Sequence, residues 1–288
     1  MRPLRGVLGP DRGLSQPGTP MLLLNTAALP TLRRHRHPNL GRLCVPDCTG
    51  RLEETLQEMP VAFDNGCFHG LDPVAVMKMY RRIMEWPTVA ARLARAWPWL
   101  AEQRITVPAD DGTEREVLLV GGELPRLHRN LLWCTVPDVV RCRCGAQTHC
   151  RPKDRRADCA PIGDGERTRE RWEEWLPWLS HLPLAFVLQN GAEKPGRVPW
   201  GHPSLTALFV GGSDDWRYGP DCAQLIREAR RRGLMVHFGR ISSAKRIRYA
   251  ASIGATSFDS SRYSRWRDIT LADGLTAAAQ PPQLRLVA

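Results

Sequence analysis

Eight short apolar runs separated by segments of helical period predict an α/β chain closing a TIM-type (β/α)8 barrel, and five of the runs stop on a polar residue or a glycine pair. Buried parallel strands read as continuous apolar runs, and parallel barrels carry their chemistry at the C-terminal strand ends. The five ends are VAFDNG at 61–66, LWCTVPD at 132–138, LAFVLQNG at 184–191, LFVGG at 208–212 and ATSFD at 255–259. A common rim would gather Asp64, Asp138, Gln189, Gly211 with Gly212, and Asp259 into one pocket.

Apolar stretches near 21–25, 42–45, 61–64, 131–136, 184–189, 207–211, 234–238 and 255–258 supply the eight strands. Asp72-Pro73 is an N-cap and N1 pair that opens a helix through Met84. Glu166 to Leu179, Asp221 to Arg232 and Ser242 to Ser252 carry the 3.6-residue period. Strand–helix alternation implies βαβ units, and a doubly wound sheet with fewer strands fits the same pattern almost as well. Two segments break it. Residues 105–122 read as a hairpin turning at Asp111-Gly112, and residues 141–162 as a polar, cysteine-rich inserted loop. Residues 1–20 contain Arg, Gly and Pro but no apolar signal region, and read as a disordered leader or a mis-called start. A single barrel domain over 21–270 and a C-terminal tail over 271–288 complete the expected organisation.

The 288 residues, 42% of them hydrophobic, suffice for a full-sized core. A formal net charge of +11 favours a polyanionic partner, nucleic acid first. Only four of the 41 basic residues are lysine, so a GC-rich coding sequence is the competing source of that surplus. No run of 18 apolar residues occurs, and MLLLNTAAL at 21–29 is too short and too polar to span a bilayer, which predicts a soluble chain. Nine cysteines without a secretory signal point to reduced thiols or metal ligands in a cytoplasmic setting.

Four of those cysteines form the pattern Cys142-x-Cys144-x5-Cys150-x8-Cys159, with His149 adjacent. Four thiolates in a polar loop without its own core suit a structural Zn2+ that supplies the missing folding energy. The spacing is not that of paired C-x2-C knuckles, and free surface thiols are the alternative.

The ordered strings AFDNGCF, VPDVV, FVLQNG, VPW, LFVGGSDDW and HFGRISSAKRIRYAASIG, followed by the Asp259 segment, closely resemble the deoxypurine-in-DNA protein A (DpdA) family. These are relatives of the tRNA-guanine transglycosylases found in bacteriophages and bacterial genomic islands. The resemblance runs from about Val61 to Trp266. It implies a TIM-barrel enzyme, a pentosyltransferase, that removes guanine from DNA and installs a free 7-deazaguanine such as 7-cyano-7-deazaguanine. The family pattern after VPDVV continues directly into Gly-Asp, whereas here Gly163-Asp164 supplies that pair only after the cysteine-rich segment. The tRNA-type enzymes carry a zinc lobe after the last strand, where this chain has no cysteine beyond Cys222; that absence favours the DNA-type branch.

Under the resemblance Asp259 is the nucleophile and Asp64 the acid/base group, while Asp138 and Gln189 read the guanine edge. A carboxylate nucleophile that forms a covalent sugar intermediate is sound chemistry on its own account. D-N-G and Q-N-G are also ordinary turns, so loop capping competes with chemistry at Asp64 and with base reading at Gln189. The Gly211-Gly212 pair would let backbone amides approach a flat ring, or serve loop flexibility alone. His237, Arg240, Lys245, Arg246 and Arg248 surround the seventh strand end, where phosphate contacts are natural. Arg240 is the best placed of these; a solvated helix face explains Arg246 and Arg248 about as well. Trp216 fits either stacking on a base or rim packing. The basic clusters Arg33-Arg34-His35-Arg36-His37 and Arg230-Arg231-Arg232 would add to DNA binding only from the pocket's face. Same-chemistry action on tRNA and a non-catalytic nucleic-acid-binding barrel are the alternative functions.

Overall fold

The computed structural model describes residues 20–84, 102–108, 114–120, 130–150, 152–180, 182–265 and 267–279. Its strands are β1 (Leu22–Asn25), β2 (Leu40–Cys44), β3 (Val61–Phe63), β4 (Glu102–Pro108), β5 (Glu114–Val120), β6 (Leu131–Thr135), β7 (Val140–Cys142), β8 (Pro161–Gly163), β9 (Leu184–Leu188), β10 (Leu205–Val210), β11 (Met235–Phe238) and β12 (Ser257–Asp259). Eight of them close a parallel barrel in the order β1-β12-β11-β10-β9-β6-β3-β2. Closure occurs where β1 pairs with both β12, at Leu23↔Phe258, and β2, at Leu23↔Leu40. Such a ring excludes the open doubly wound sheet, and all eight expected strands belong to it.

The two faces of the strands bury different things. Inside the ring, Leu24, Leu43, Ala62, Trp133, Ala185 and Ala207 form one cluster, in which three alanines leave the volume that the Trp133 indole occupies. Outside, residues such as Leu23, Phe63, Phe186, Leu208 and Phe238 pack against the helices. With both faces covered, neither can alternate with polar residues, and the strands therefore read as unbroken apolar runs.

Helices α1 (Leu29–Arg34), α2 (Leu52–Glu58), α3 (Pro73–Met84), α4 (Gly165–Leu179), α5 (Asp214–Arg217), α6 (Pro220–Arg231), α7 (Ala244–Ile253), α8 (Ser261–Arg265) and α9 (Arg267–Ala279) connect or cover the strands. Their starts follow capping chemistry. The Asp72 carboxylate accepts from the Ala75 amide at 3.0 Å, Asp164 from Arg167 at 3.0 Å and Ser243 from Arg246 at 3.3 Å. None of the helices among the described residues is long and apolar enough to cross a membrane.

The domain extends further than expected. Residue 270 falls within α9, whose Leu271, Leu275 and Ala278 are buried and whose Ala278 carbonyl accepts from the Met21 amide at 3.0 Å. The C-terminal tail read from 271 onward is thus corrected through Ala279; the alanine-rich segment had hidden a core-facing helix. Residues 1–19 and 280–288 lie outside the described residues.

Both interruptions are antiparallel pairs. β4 and β5 run from Glu102↔Val120 to Pro108↔Glu114, as the hairpin reading requires, with Asp111-Gly112 outside the described residues. β7 and β8 pair from Val140↔Gly163 to Cys142↔Pro161, and the Asp164 amide donates to the Val139 carbonyl at 3.1 Å.

Replacing Trp133 by alanine should open a cavity at the centre of the ring and cost about 3–5 kcal/mol, read from the urea-unfolding midpoint of the variant.

Candidate active site at the barrel mouth

Asp259 is the last residue of β12, and its carboxylate is held from the neighbouring strand. Oδ1 accepts from the Arg240 backbone amide at 3.0 Å and meets His237 Nε2 at 3.1 Å. Among the described residues no hydrogen bond falls on Oδ2. The other His237 nitrogen, Nδ1, lies 3.0 Å from Ser257 Oγ. This imidazole is fully buried, packed against Phe209 and Trp133 with ring centroids 4.6 and 5.1 Å away. The expectation that His237 contacts phosphate is therefore corrected: no solvent reaches it, and its role is to orient Asp259. Its place in the basic segment HFGR had concealed a core position.

Arg240 takes a left-handed conformation with φ of +57°. For a non-glycine residue that costs about 1–2 kcal/mol, and the geometry shows what the conformation accomplishes. The amide points at Asp259, the guanidinium donates to the Gly212 carbonyl at 3.0 Å, and Cζ lies 4.7 Å from the Phe68 ring centroid. Arg217, buried on α5, donates to the Gly239 and Arg240 carbonyls at 2.8 and 3.2 Å and fixes this turn from behind. Burial, then Arg217, lowers the Arg240 pKa from its ordinary value.

Across the mouth, Asp138 and Gln189 are both buried and hydrogen-bonded to each other, Gln189 Nε2 donating to Asp138 Oδ2. The Gln189 side-chain Oε1 accepts from the Gly212 amide at 2.6 Å. Asn65, absent from the sequence-derived site, donates to Asp138 Oδ1 at 3.1 Å and to the Val136 carbonyl at 3.3 Å. For Asn65 the D-N-G string signalled only a turn, and a turn it also is, since the Asn65 side-chain Oδ1 accepts from the Cys67 amide at 2.7 Å.

Glycines make room for this array in a way the sequence did not suggest. A Cβ on Gly163 would stand 1.8 Å from Gln189 Oε1, and one on Gly211 2.9 Å from Nε2. Gly212, at φ +71°, lies against Trp216, where a Cβ would meet Cε3 at 2.6 Å. The amides of Gly211 and Gly212 are already donated, to Leu188 and Gln189 respectively. Gly211 and Gly212 thus seat Gln189 and Trp216 rather than presenting free amides to a ring. Trp216, bonded to Glu193 at 2.8 Å, packs at the rim.

Asp64, half-buried after β3, is the third carboxylate. Burial first, then the charges of Asp138 and Asp259, push its pKa from 3.8 to about 7, against the pull of the Gly66 and Asn65 amides. Burial also raises Asp138, opposed mainly by its bonds from Gln189 and Asn65. The rim therefore holds Asp64 as the group poised to exchange a proton near neutral pH.

The remaining basic residues are less committed to the pocket. Arg246 pairs with Asp214 at 2.9 Å, Lys245 is exposed and Arg248 is half-buried on α7. Arg33 is engaged by Glu58 and Glu54, while Arg231 and Arg232 both pair with Glu228. These last clusters close α1 and α6, helices that run back from the mouth, so neither cluster shares the pocket's face.

The four cysteines of the β7–β8 ribbon do converge. Their sulfurs all lie within 4.8 Å of one another, close enough to hold one metal ion. Cys144 and Cys150 sulfurs are 3.6 Å apart. Gly145, at φ +91°, turns the chain so that its amide donates to the Cys142 carbonyl at 3.0 Å. The Cys150 amide is the main cause of a Cys142 thiol drawn down to about 5, so a thiolate forms readily there. Cys44 and Cys48 stand apart, Cys44 in the core and Cys48 bonded to the Thr26 carbonyl at 3.1 Å.

Gly163→Ala should unseat Gln189 and destabilise the fold by about 1–3 kcal/mol, measured by denaturant unfolding. The folded chain binds the Asp64 proton more tightly than the unfolded chain, so this group's contribution to stability is full below pH 3.8 and lost as pH rises through about 7. Asp64→Asn removes that loss. Its melting temperature relative to wild type should rise with pH across this window and level off above it, as followed by differential scanning fluorimetry. No protein-family model and no curated protein matches the chain, so these assignments rest on the geometry of its own residues.

Proposed function

We propose that the chain is a DNA guanine transglycosylase of the DpdA type, exchanging guanine for a free 7-deazaguanine through a covalent aspartyl-deoxyribose intermediate. The observation that carries this reading is the division among three neighbouring carboxylates. Asp259 is oriented through one oxygen with the other left open, Asp138 is locked into a buried polar edge with Gln189 and Asn65, and Asp64 is raised to about 7. Carboxylates whose environments set them apart mark an acid/base assignment.

In the reaction Asp259 Oδ2 attacks the anomeric carbon as the C1′–N9 bond breaks and its electron pair leaves with guanine. Asp64, in its protonated form, delivers the proton that neutralises the departing base. The incoming 7-deazaguanine occupies the same slot and gives its N9 proton to the Asp64 carboxylate. N9 then forms the new bond to C1′ and expels Asp259, so one glycosidic bond replaces another and no nucleoside triphosphate is consumed. Asp138 accepts from the purine N1–H and exocyclic amine, while Gln189 meets the carbonyl side.

The metal we assign to Cys142, Cys144, Cys150 and Cys159 is Zn2+. Bonds of ~2.3 Å to a tetrahedral ion set sulfur–sulfur edges of ~3.8 Å, close to the Cys144–Cys150 separation of 3.6 Å. Its role is structural, since four thiolates leave no open coordination position.

Purified protein incubated with guanine-labelled DNA and 7-cyano-7-deazaguanine should release free guanine. Asp259→Ala should abolish release; unchanged release in that variant overturns the mechanism. Release from tRNA in place of DNA would move the substrate to RNA.

A further inference from the structure

The cysteine ribbon is not a remote appendage, because β7 packs against the single helical turn Cys67–His69 that follows Asp64. His149 meets Phe68 edge-on at 4.9 Å, and a Cβ on Gly70 would touch Thr148 at 3.7 Å. The Phe68 ring also carries the Arg240 guanidinium, whose residue holds Asp259. A continuous series of contacts thus joins the four-cysteine cluster to the nucleophile's side of the mouth.

The outer surface of the same ribbon carries a surplus of positive charge. Arg143, Lys153, Arg155 and Arg156 are all exposed, against the exposed acids Asp154 and Asp158. Two of the four are tied to the cysteines: the Arg155 side-chain Nε donates to the Cys150 backbone carbonyl at 3.3 Å, and the Arg156 backbone amide to Cys159 Sγ at 3.2 Å. The fold of the loop around its sulfurs therefore fixes where the positive charges stand. A cationic surface beside a pocket mouth is complementary to a phosphate backbone, and contacts of that kind position a nucleic acid without reading its sequence.

We propose that the metal-held loop at 143–158 is the backbone grip that seats DNA over the barrel mouth, with Arg143 and Lys153 as phosphate contacts. The choice of DNA as occupant rests on the function proposed above. Binding can be measured apart from base exchange, so the two can fail separately.

The test is fluorescence anisotropy of a labelled DNA duplex titrated with the zinc-loaded protein, without deazaguanine, at salt concentrations from 50 to 200 mM. At about 0.9 per phosphate contact, the double variant R143Q/K153Q should reduce the slope of log affinity against log salt by about 1.8. Zinc content by elemental analysis should stay at the wild-type level, showing that the loop still folds. The same charge loss on α6, in R227Q/R231Q, should leave the slope unchanged. Removing the metal with a chelator should weaken binding in the wild type and abolish the difference between wild type and R143Q/K153Q. An unchanged slope in R143Q/K153Q with zinc retained overturns the proposal, as does a loss of slope seen with tRNA but not with DNA. Loss of slope in a protein that releases no guanine would support the grip and refute the exchange reaction.

Discussion

Closing eight parallel strands into a ring obliges every strand to finish on the same rim, and the other features of the molecule are arranged around that constraint. Parallel strands can be joined only by crossovers, so the helices are displaced to the outside and both strand faces become apolar. The rim is then the place where the chain leaves the core, and polar side chains there are partly shielded by the barrel beneath them. Asp64, Asp138 and Asp259 come together for this reason, although 195 residues separate the first from the last.

Three carboxylates at one mouth repel, and the surrounding residues distribute that repulsion unequally. Asp138 receives side-chain hydrogen bonds from Asn65 and Gln189, and Asp259 receives the Arg240 amide and faces His237. The bonds pulling Asp64 down come from backbone amides and lose to burial and to its two charged neighbours. The group with the weakest support becomes the one whose proton is most mobile at neutral pH. Support extends inward as well: His237 bridges Asp259 to the aromatic interior of Trp133 and Phe209, so the orientation of this carboxylate is coupled to core packing.

Much of this was legible in the sequence because barrel strands are long enough in apolar content to show themselves and because four of the eight are followed by, or end on, a recognisable polar residue, Asp64, Asp138, Gln189 or Asp259. Asp64, Asp138, Gln189, Arg240 and Asp259 all lie at the mouth. Residues whose role is set by a distant partner were not legible. Asn65 looked like a turn residue until Asp138 was brought beside it, and Gly163 looked like the end of an insertion until Gln189 occupied its missing Cβ. His237 sat among cations in the sequence and among aromatic rings in space. Arg240 at positive φ is a local violation of backbone preference whose compensation comes from Gly212, Phe68 and Arg217, none of them near it in the chain except through the fold. The last helix was missed for a related reason: its alanines carry little apolar signal until they meet β1.

The pairing of Val140 with Gly163 has a meaning for how the molecule can change over time. The ribbon leaves and re-enters the barrel at adjacent points, so everything between them is a module plugged into a fixed socket. Loops of other length, charge or metal chemistry can occupy that socket while Val139 and Asp164 keep their places beside α4. Such an arrangement lets two parts of one chain vary independently: the residues of the rim are held by the barrel, whereas the loop between β7 and β8 is free to be exchanged.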